Sequence, residues 1–404
     1  MKLTLEKPAA RIAGIRFDRN ELSGAFGDIG TDFPLVVGVI LAAHLDPASA
    51  LILFGCMQML SGLIYRMPMP AQPLKAMAVL VISQKLSGNI LYGAGLAIGI
   101  TMLILSVTGL IDVLARVVPK VVVRGIQLGL GLQLAALALK DYLPSEGNRG
   151  YWLAGIAFVL VLLLAGNRRI PPGPLVIALG LAYALVFRVV PSHLLKGVGI
   201  SLPQVHIPLP HDVWIGFLLL ALPQIPLSLG NSILATEQIS KDLFPDRKVT
   251  VRKIGFTYSL MNLINPFLSG IPTCHGSGGV AGHYAFGGRT GGSVILYGSL
   301  YLVLGLFLAG SFGQAILLFP QPVLGVILLF EAIALMVLIG DMANSKTDLM
   351  LVLLVGLLAA NVTYGYVVAL IVGTAIAYLA KPRLAGLTRK QSPGITGSET
   401  KSSL

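Results

Sequence analysis

Apolar runs, broken by short polar or Pro/Gly punctuation, recur along the whole chain. About 20 predominantly apolar residues are needed for a helix to cross a bilayer, and most of these runs reach or approach that length. The pattern predicts seven segments over 24–44, 48–65, 70–86, 89–112, 121–139, 150–166 and 174–190. A polar stretch carrying Pro191, Pro203, Pro208 and Pro210 follows. A second set of seven runs over 212–238, 253–270, 273–287, 291–313, 320–340, 347–361 and 363–380.

The third and tenth segments do not read as plain spanning helix. The third opens Met67-Pro68-Met69-Pro70-Ala71-Gln72-Pro73-Leu74-Lys75, and the tenth opens Ile271-Pro272-Thr273-Cys274-His275-Gly276-Ser277-Gly278-Gly279. Residues before Pro are pushed toward extended backbone, which predicts a short strand ahead of each half-helix. Pro is tolerated at a helix start because its missing N–H has no intrahelical partner there. Pro70 and Pro272 stand about half the chain apart. An odd number of crossings per half inverts the second half, so the two interruptions enter from opposite faces and meet near the midplane. Irregular backbone at that depth survives only when buried in protein or lining a cavity. Matched interruptions in two halves point to a transporter site, and a helix N-terminus is a ready anion site.

Charge tests the parity. With the N-terminus in the cytoplasm and every segment crossing once, only Lys85, Lys140, Arg149, Arg188 and Lys196 fall outside, and Lys75 falls within a segment. All other Lys and Arg lie on the cytoplasmic side, as the positive-inside rule requires. Composition agrees. Of 404 residues, 55% are hydrophobic and 11% charged, against about 25% charged in soluble domains. The net charge of +12 is explained by the same rule. No aromatic-interleaved basic patch suggests nucleic acid. Cys56 and Cys274, the only two cysteines, sit in apolar or broken-helix context, which excludes a disulfide framework or a zinc site. Met1–Asn20 lacks the apolar core of a cleavable signal. A multi-pass protein of the plasma (inner) membrane is expected, with both termini cytoplasmic.

Several motifs together resemble one family. They are Glu21-Leu-Ser-Gly24-Ala-Phe-Gly27-Asp28-Ile-Gly30-Thr31, Pro68 to Lys75, Gln224-Ile-Pro226-Leu-Ser228-Leu-Gly230-Asn231-Ser232, Asp242-Leu-Phe-Pro245, Pro272 to Gly279, and Tyr284-Ala-Phe286-Gly-Gly-Arg289-Thr-Gly291. The chain is similar over nearly its whole length to the plant and bacterial molybdate transporters, a branch of the sulfate permease superfamily. The resemblance implies an all-α membrane fold of 14 segments, arranged as 7+7 inverted repeats and shared with nucleobase symporters and bicarbonate transporters. It implies a core part moving against a gate part. The expected division is a cytoplasmic segment 1–20, a first-repeat core part 21–119 and gate part 120–190, and an extracytoplasmic connector 191–211. A second-repeat core part 212–313, gate part 314–380 and cytoplasmic tail 381–404 complete it. No C-terminal regulatory domain is expected in this sequence. By analogy, a homodimer is implied.

The inferred substrate is a tetrahedral dianion, molybdate or sulfate. Two facing half-helix tips would supply free amides near Gln72, Pro73 and Ala76 and near Cys274, His275, Gly276, Ser277, Gly278 and Gly279. Gln224, Ser228, Asn231 and Ser232 would add neutral donors. Lys75 is either a counter-charge for the anion or a residue that snorkels or pairs with a core carboxylate. His275 either donates to the oxyanion or is a satisfied packing histidine. Asp28, Thr31, Asp32 and Glu237 are the coupling candidates, with Glu331 a further intramembrane carboxylate. The alternative for Asp28 is that it pairs with Lys75 or caps a helix, and for Glu237 that it faces the cytoplasm near Lys241.

Bringing a dianion into a cell at about −100 mV costs about 4.6 kcal/mol before any concentration gradient, which calls for a coupled cation. The expectation is secondary active import of molybdate by alternating access. The alternatives are sulfate transport or oxyanion exchange on the same fold and, at greater distance, an anion channel. No enzyme activity, cofactor or metal is expected: Cys274 and His275 lack a catalytic partner set, and no Walker A loop is present.

Overall fold

The computed structural model describes residues 11–12, 14–164, 172–188, 198–312, 319–362 and 364–379. Two short strands, β1 (Arg11–Ile12) and β2 (Ile15–Arg16), pair antiparallel ahead of the first helix. The first half continues through α1 (Arg19–Ala25), α2 (Ile29–Ala42), α3 (Pro47–Tyr65), strand β3 (Ala71–Pro73), α4 (Lys75–Gln84) and α5 (Gly88–Thr108). It ends with α6 (Leu110–Val117), α7 (Lys120–Leu137), α8 (Gly147–Leu164) and α9 (Pro172–Phe187). The second half runs through α10 (Pro210–Gly216), α11 (Leu222–Leu227), α12 (Thr236–Leu243), α13 (Val251–Ile264), strand β4 (Thr273–His275), α14 (Ser277–Ala285) and α15 (Gly292–Leu308). It closes with α16 (Gln321–Val337), α17 (Lys346–Asn361) and α18 (Gly365–Leu379).

Six described helical stretches are long and apolar enough to cross a membrane. One, Lys120–Leu164, has 45 residues, about 68 Å of helix against a ~30 Å hydrocarbon core. It is interrupted at the 3₁₀ turn Leu143–Glu146 and at Gly147, whose φ is 56°. The stretch expected as 212–238 is helical but wound wide twice, in π turns at Phe217–Ala221 and Ser228–Ala235. Such bulges cluster at functional sites. The first expected segment, 24–44, is broken at Phe26–Asp28 between α1 and α2. At this break the chain passes close to α14: a Cβ on Gly27 would strike the backbone of Gly282 and His283.

Helices pack in two sets. In one, α3 lies along α15 and α5 lies against α10 and α13. Small residues let α3 and α15 touch: a Cβ on Gly55 would come 2.6 Å from the Gly298 carbonyl oxygen, and the converse distance is the same. In the other set, α7 packs on α16, α17 and α18, and α8 packs on α9 and α16. The described part of the connector, from 198 onward, lies over the ends of the first set. Gly199 and Ser201 donate to the carbonyls of Phe307 and Leu306, and His206 donates to that of Phe267.

Candidate functional site

Strands β3 and β4 pair antiparallel, with Ala71 opposite His275, Gln72 opposite Cys274 and Pro73 opposite Thr273. Each strand leads at once into a half-helix, α4 or α14. A two-stranded ribbon inside an apolar protein has two edges whose backbone groups must find partners. Here side-chain amides take the place of neighbouring strands. Gln58 of α3 donates to the Ala71 carbonyl (2.5 Å) and accepts from the Ala71 N–H (2.9 Å). Asn262 of α13 does the same for Thr273, at 2.6 and 3.0 Å. Asn265 Nδ2 donates to the Ile271 carbonyl at 2.7 Å.

Opposed residues of an antiparallel pair share a face. On one face Gln72 Nε2 donates to Asp28 Oδ2 at 2.5 Å. The amide of Gln72 lies on two glycines: a Cβ on Gly276 would strike Gln72 Oε1, and one on Gly279 would strike Asp28 Oδ2 and come 2.9 Å from Gln72 Nε2. Cys274, buried beside Gln72, is hydrogen-bonded to Ser232 and lies where the charges of Lys75, Asp32 and Asp28 act on it. Asp32 is fully buried in the first turn of α2, and Lys75 is the first residue of α4. These residues come from six elements: β3, β4, α2, α4, α14 and the π turn Ser228–Ala235.

The opposite face is occupied by protein. The His275 ring is fully buried, with Nδ1 3.1 Å from the Pro70 carbonyl and Nε2 2.8 Å from Thr257 Oγ1. A carbonyl only accepts, so Nδ1 carries the proton and Thr257 donates to Nε2. Tyr65 packs edge-on to the ring, with centroids 5.3 Å apart, and its hydroxyl bonds Thr257 Oγ1 at 2.7 Å.

The two half-helix tips are unlike. The first turn of α4 is capped by Gln224, whose Oε1 accepts from Ala76 N (2.9 Å) and Met77 N (3.3 Å). Gln224 Nε2 donates to Ser228 Oγ at 3.1 Å, and Ser228 bonds the Tyr258 hydroxyl at 2.8 Å. The free amides expected at both tips are therefore not both free; those of Ala76 and Met77 are already taken. The N-cap residue of α14 is Gly276, which has no side chain with which to cap it. Ser277 donates to Asn231 Oδ1 at 3.2 Å, and a Cβ on Gly278 would meet nothing within 4 Å. Gly276 and Gly279 are thus tight against Gln72, while Gly278 borders open space.

Of the coupling candidates, Asp28 and Asp32 lie at the ribbon. Glu237 lies apart, 3.0 Å from Lys241 one turn along α12. The side chains of Thr31 and Glu331 fall outside the described residues. Pro73 lies within β3, its ring position set by the strand. Sequence reasoning missed Gln58, Asn262, Asn265, Thr257 and Tyr65. The available signal was an amide inside an apolar run, at Gln58 and at Asn262 and Asn265. It also missed Glu21, fully buried, whose carboxylate accepts from the N–H groups of Arg289, Thr290 and Ser293 at 2.9–3.0 Å.

Two cavities border α7 and the helix that carries Gln224, and neither is lined by a residue of the ribbon. One, of about 350 Å³, reaches Gln84, Gln133 and Pro223. The other, of about 270 Å³, reaches Lys120, Gln127 and Pro226. They meet opposite ends of α7, and Gln224 lies between the two prolines.

Comparison with known proteins adds to this geometry. A family model described as the molybdate transporter of the MFS superfamily matches residues 20–134 and 216–335. Molybdate transporter 2 of Arabidopsis thaliana is 36% identical over 378 residues, covering 81% of this chain and 80% of that protein. Molybdate transporter 1 of the same plant is 34% identical over 394 residues, covering 86% of each. Among solved structures, the transmembrane domain of the cyanobacterial bicarbonate transporter BicA superposes with a TM-score of 0.66 at 15% identity, over 90% of this chain and 98% of that domain. That likeness establishes a shared transmembrane fold.

Proposed function

This chain belongs to the molybdate transporter family, and we propose that it is a secondary active importer of molybdate, coupled to a cation and working by alternating access. The relatives named for molybdate and the fold shared with a bicarbonate transporter both support anion transport. The observation that carries the reading is the β3–β4 ribbon. It brings the start of α14 beside Gln72 and its carboxylate partner Asp28, with Cys274 opposite Gln72 and Lys75 opening α4 just after the strand.

In this reading a tetrahedral dianion sits at the start of α14 beside Gly278, the one glycine of that turn that borders open space, and is drawn there by the positive end of the helix dipole. Lys75 supplies counter-charge. Gln72 and Ser232 orient the pocket wall, and Gln224 holds the α4 tip and separates the two cavities. His275 braces the ribbon instead of touching the anion, since both ring nitrogens are bonded within the protein. Asp28, hydrogen-bonded to the pocket residue Gln72, is placed to link protonation to occupancy. The packing set of α3, α5, α13 and α15 serves as the core part, and that of α7, α16, α17 and α18 as the gate part. Fourteen segments in two inverted sets of seven, with both termini in the cytoplasm, complete the scheme.

The test is uptake into proteoliposomes under an inward proton gradient, with unlabelled molybdate or sulfate as competitor. Saturable uptake displaced better by molybdate is expected. Better displacement by sulfate would overturn the substrate assignment, and non-saturating flux would overturn the carrier mechanism.

A further inference from the structure

The cavity of about 270 Å³ has walls of different chemistry. One wall is the start of α7, with Lys120, Arg124 and Gln127; the other is the π turn, with Gly230, Asn231 and Leu234. Both cations are held by one carboxylate. Asp341 Oδ2 lies 2.6 Å from Lys120 Nζ and 2.7 Å from Arg124 Nη2. Asp341 is not among the lining residues. Arg124 Nη1 donates to Gln127 Oε1 at 2.8 Å, which fixes the guanidinium plane. Two cations against one carboxylate leave a net positive charge on this wall. Across the cavity, Asn231 accepts from Ser277 through Oδ1, so its Nδ2 group remains as the donor pair. Ser277 is the first residue of α14. Asn231 therefore touches both the half-helix tip and the cavity.

We propose that this cavity is a second oxyanion site. A tetrahedral dianion leaving the α14 tip passes along Asn231 and is held by Lys120 and Arg124 before release. Asp341 takes the Nε and Nη2 fork of Arg124 and Gln127 takes one Nη1 proton, so an incoming oxyanion meets the remaining Nη1 and Nη2 protons and the mobile ammonium of Lys120. The Lys120 side chain is 63% exposed and that of Arg124 is 20% exposed. Such partly hydrated cations bind weakly, which suits release over retention. The site rests on the reading of the α14 tip only for its direction of use; its charge and occupancy stand or fall separately.

The test is thiol labelling of Leu234→Cys, which lines the cavity and is 36% exposed, in a Cys56→Ser background. Two methanethiosulfonate reagents are compared, one carrying sulfonate and one carrying trimethylammonium. Measured against the same pair of rates for the free thiol 2-mercaptoethanol, one net charge at about 7 Å in water predicts a shift of about sevenfold in favour of the anionic reagent. Molybdate or sulfate should slow that labelling. Lys120→Gln with Arg124→Gln should abolish both the preference and the protection, and Asp341→Asn should strengthen both. A rate ratio equal to that of 2-mercaptoethanol, or protection that survives in Lys120→Gln with Arg124→Gln, would overturn the proposal. A protein that labels as expected yet fails to take up molybdate would refute the transport reading and leave this site intact.

Discussion

Adjacent glycines at the start of α14 should respond in opposite ways to the same added methyl group. At Gly279 a Cβ would strike Asp28 Oδ2 and lie 2.5 Å from Pro70 Cγ and 2.9 Å from Gln72 Nε2. Overpacking of this kind costs about 1–3 kcal/mol. Displacing Gln72 from the Asp28 carboxylate forfeits a charge-assisted hydrogen bond worth about 1.5–3 kcal/mol. Replacing glycine in a helix returns about 0.5–1 kcal/mol. Gly279→Ala should therefore lose about 2–5 kcal/mol of stability. At Gly278 the methyl meets nothing within 4 Å, so Gly278→Ala should melt at or slightly above the wild-type temperature. Its transport should suffer, because the methyl stands where the oxyanion approaches the amides. Loss of one amide–anion bond raises KM by about 10- to 100-fold. Thermal unfolding in detergent and uptake into proteoliposomes read the two effects separately. A stable, fully active Gly279→Ala beside an unfolded Gly278→Ala would refute the reasoning.

Other variants probe the supports. Glu21→Ala leaves three backbone N–H groups of the 289–293 turn without their acceptor, and should destabilise by about 2–5 kcal/mol in thermal unfolding; an unchanged melting temperature would contradict this. Asn262→Leu removes both bonds to Thr273, and Gln58→Leu both bonds to Ala71. Each should cost about 2–5 kcal/mol, and amide hydrogen exchange should rise at residues 71, 72 and 273–275 with either one. Asp28→Asn keeps an acceptor for Gln72 and should preserve molybdate counterflow while removing acceleration by a proton gradient; retained acceleration would assign coupling elsewhere.

The interruptions themselves were legible. Pro70 and Pro272 forbid continuous helix, and their spacing announces a relation between the two halves; the structure sets strands 71–73 and 273–275 side by side. Small residues at 276–279 marked the place where backbone comes close to something. The sequence did not say what comes close. Gly276 and Gly279 abut Gln72 while Gly278 abuts open space, and three glycines within four residues carry no label for which is which. The amide partners were hidden for a related reason. Gln58, Asn262 and Gln224 act on backbone 11 to 148 residues away, and a single side chain reaching across a fold leaves no periodic trace. Gln224 was legible as a polar group near the site, but its capping of α4 depends on how α11 lies against α4. His275 was ambiguous because its role is decided by Thr257 and the Pro70 carbonyl, neither of which is near it in the motif.

Molybdenum scatters X-rays anomalously near its absorption edge, so the anion can be located without reference to protein density. Crystals grown with molybdate should show an anomalous peak beside the Ser277–Gly279 amides, on the Gln72 and Cys274 face of the ribbon and within reach of Lys75. A peak on the His275 face, or one confined to the cavity of Lys120 and Arg124 at saturating molybdate, would contradict the account.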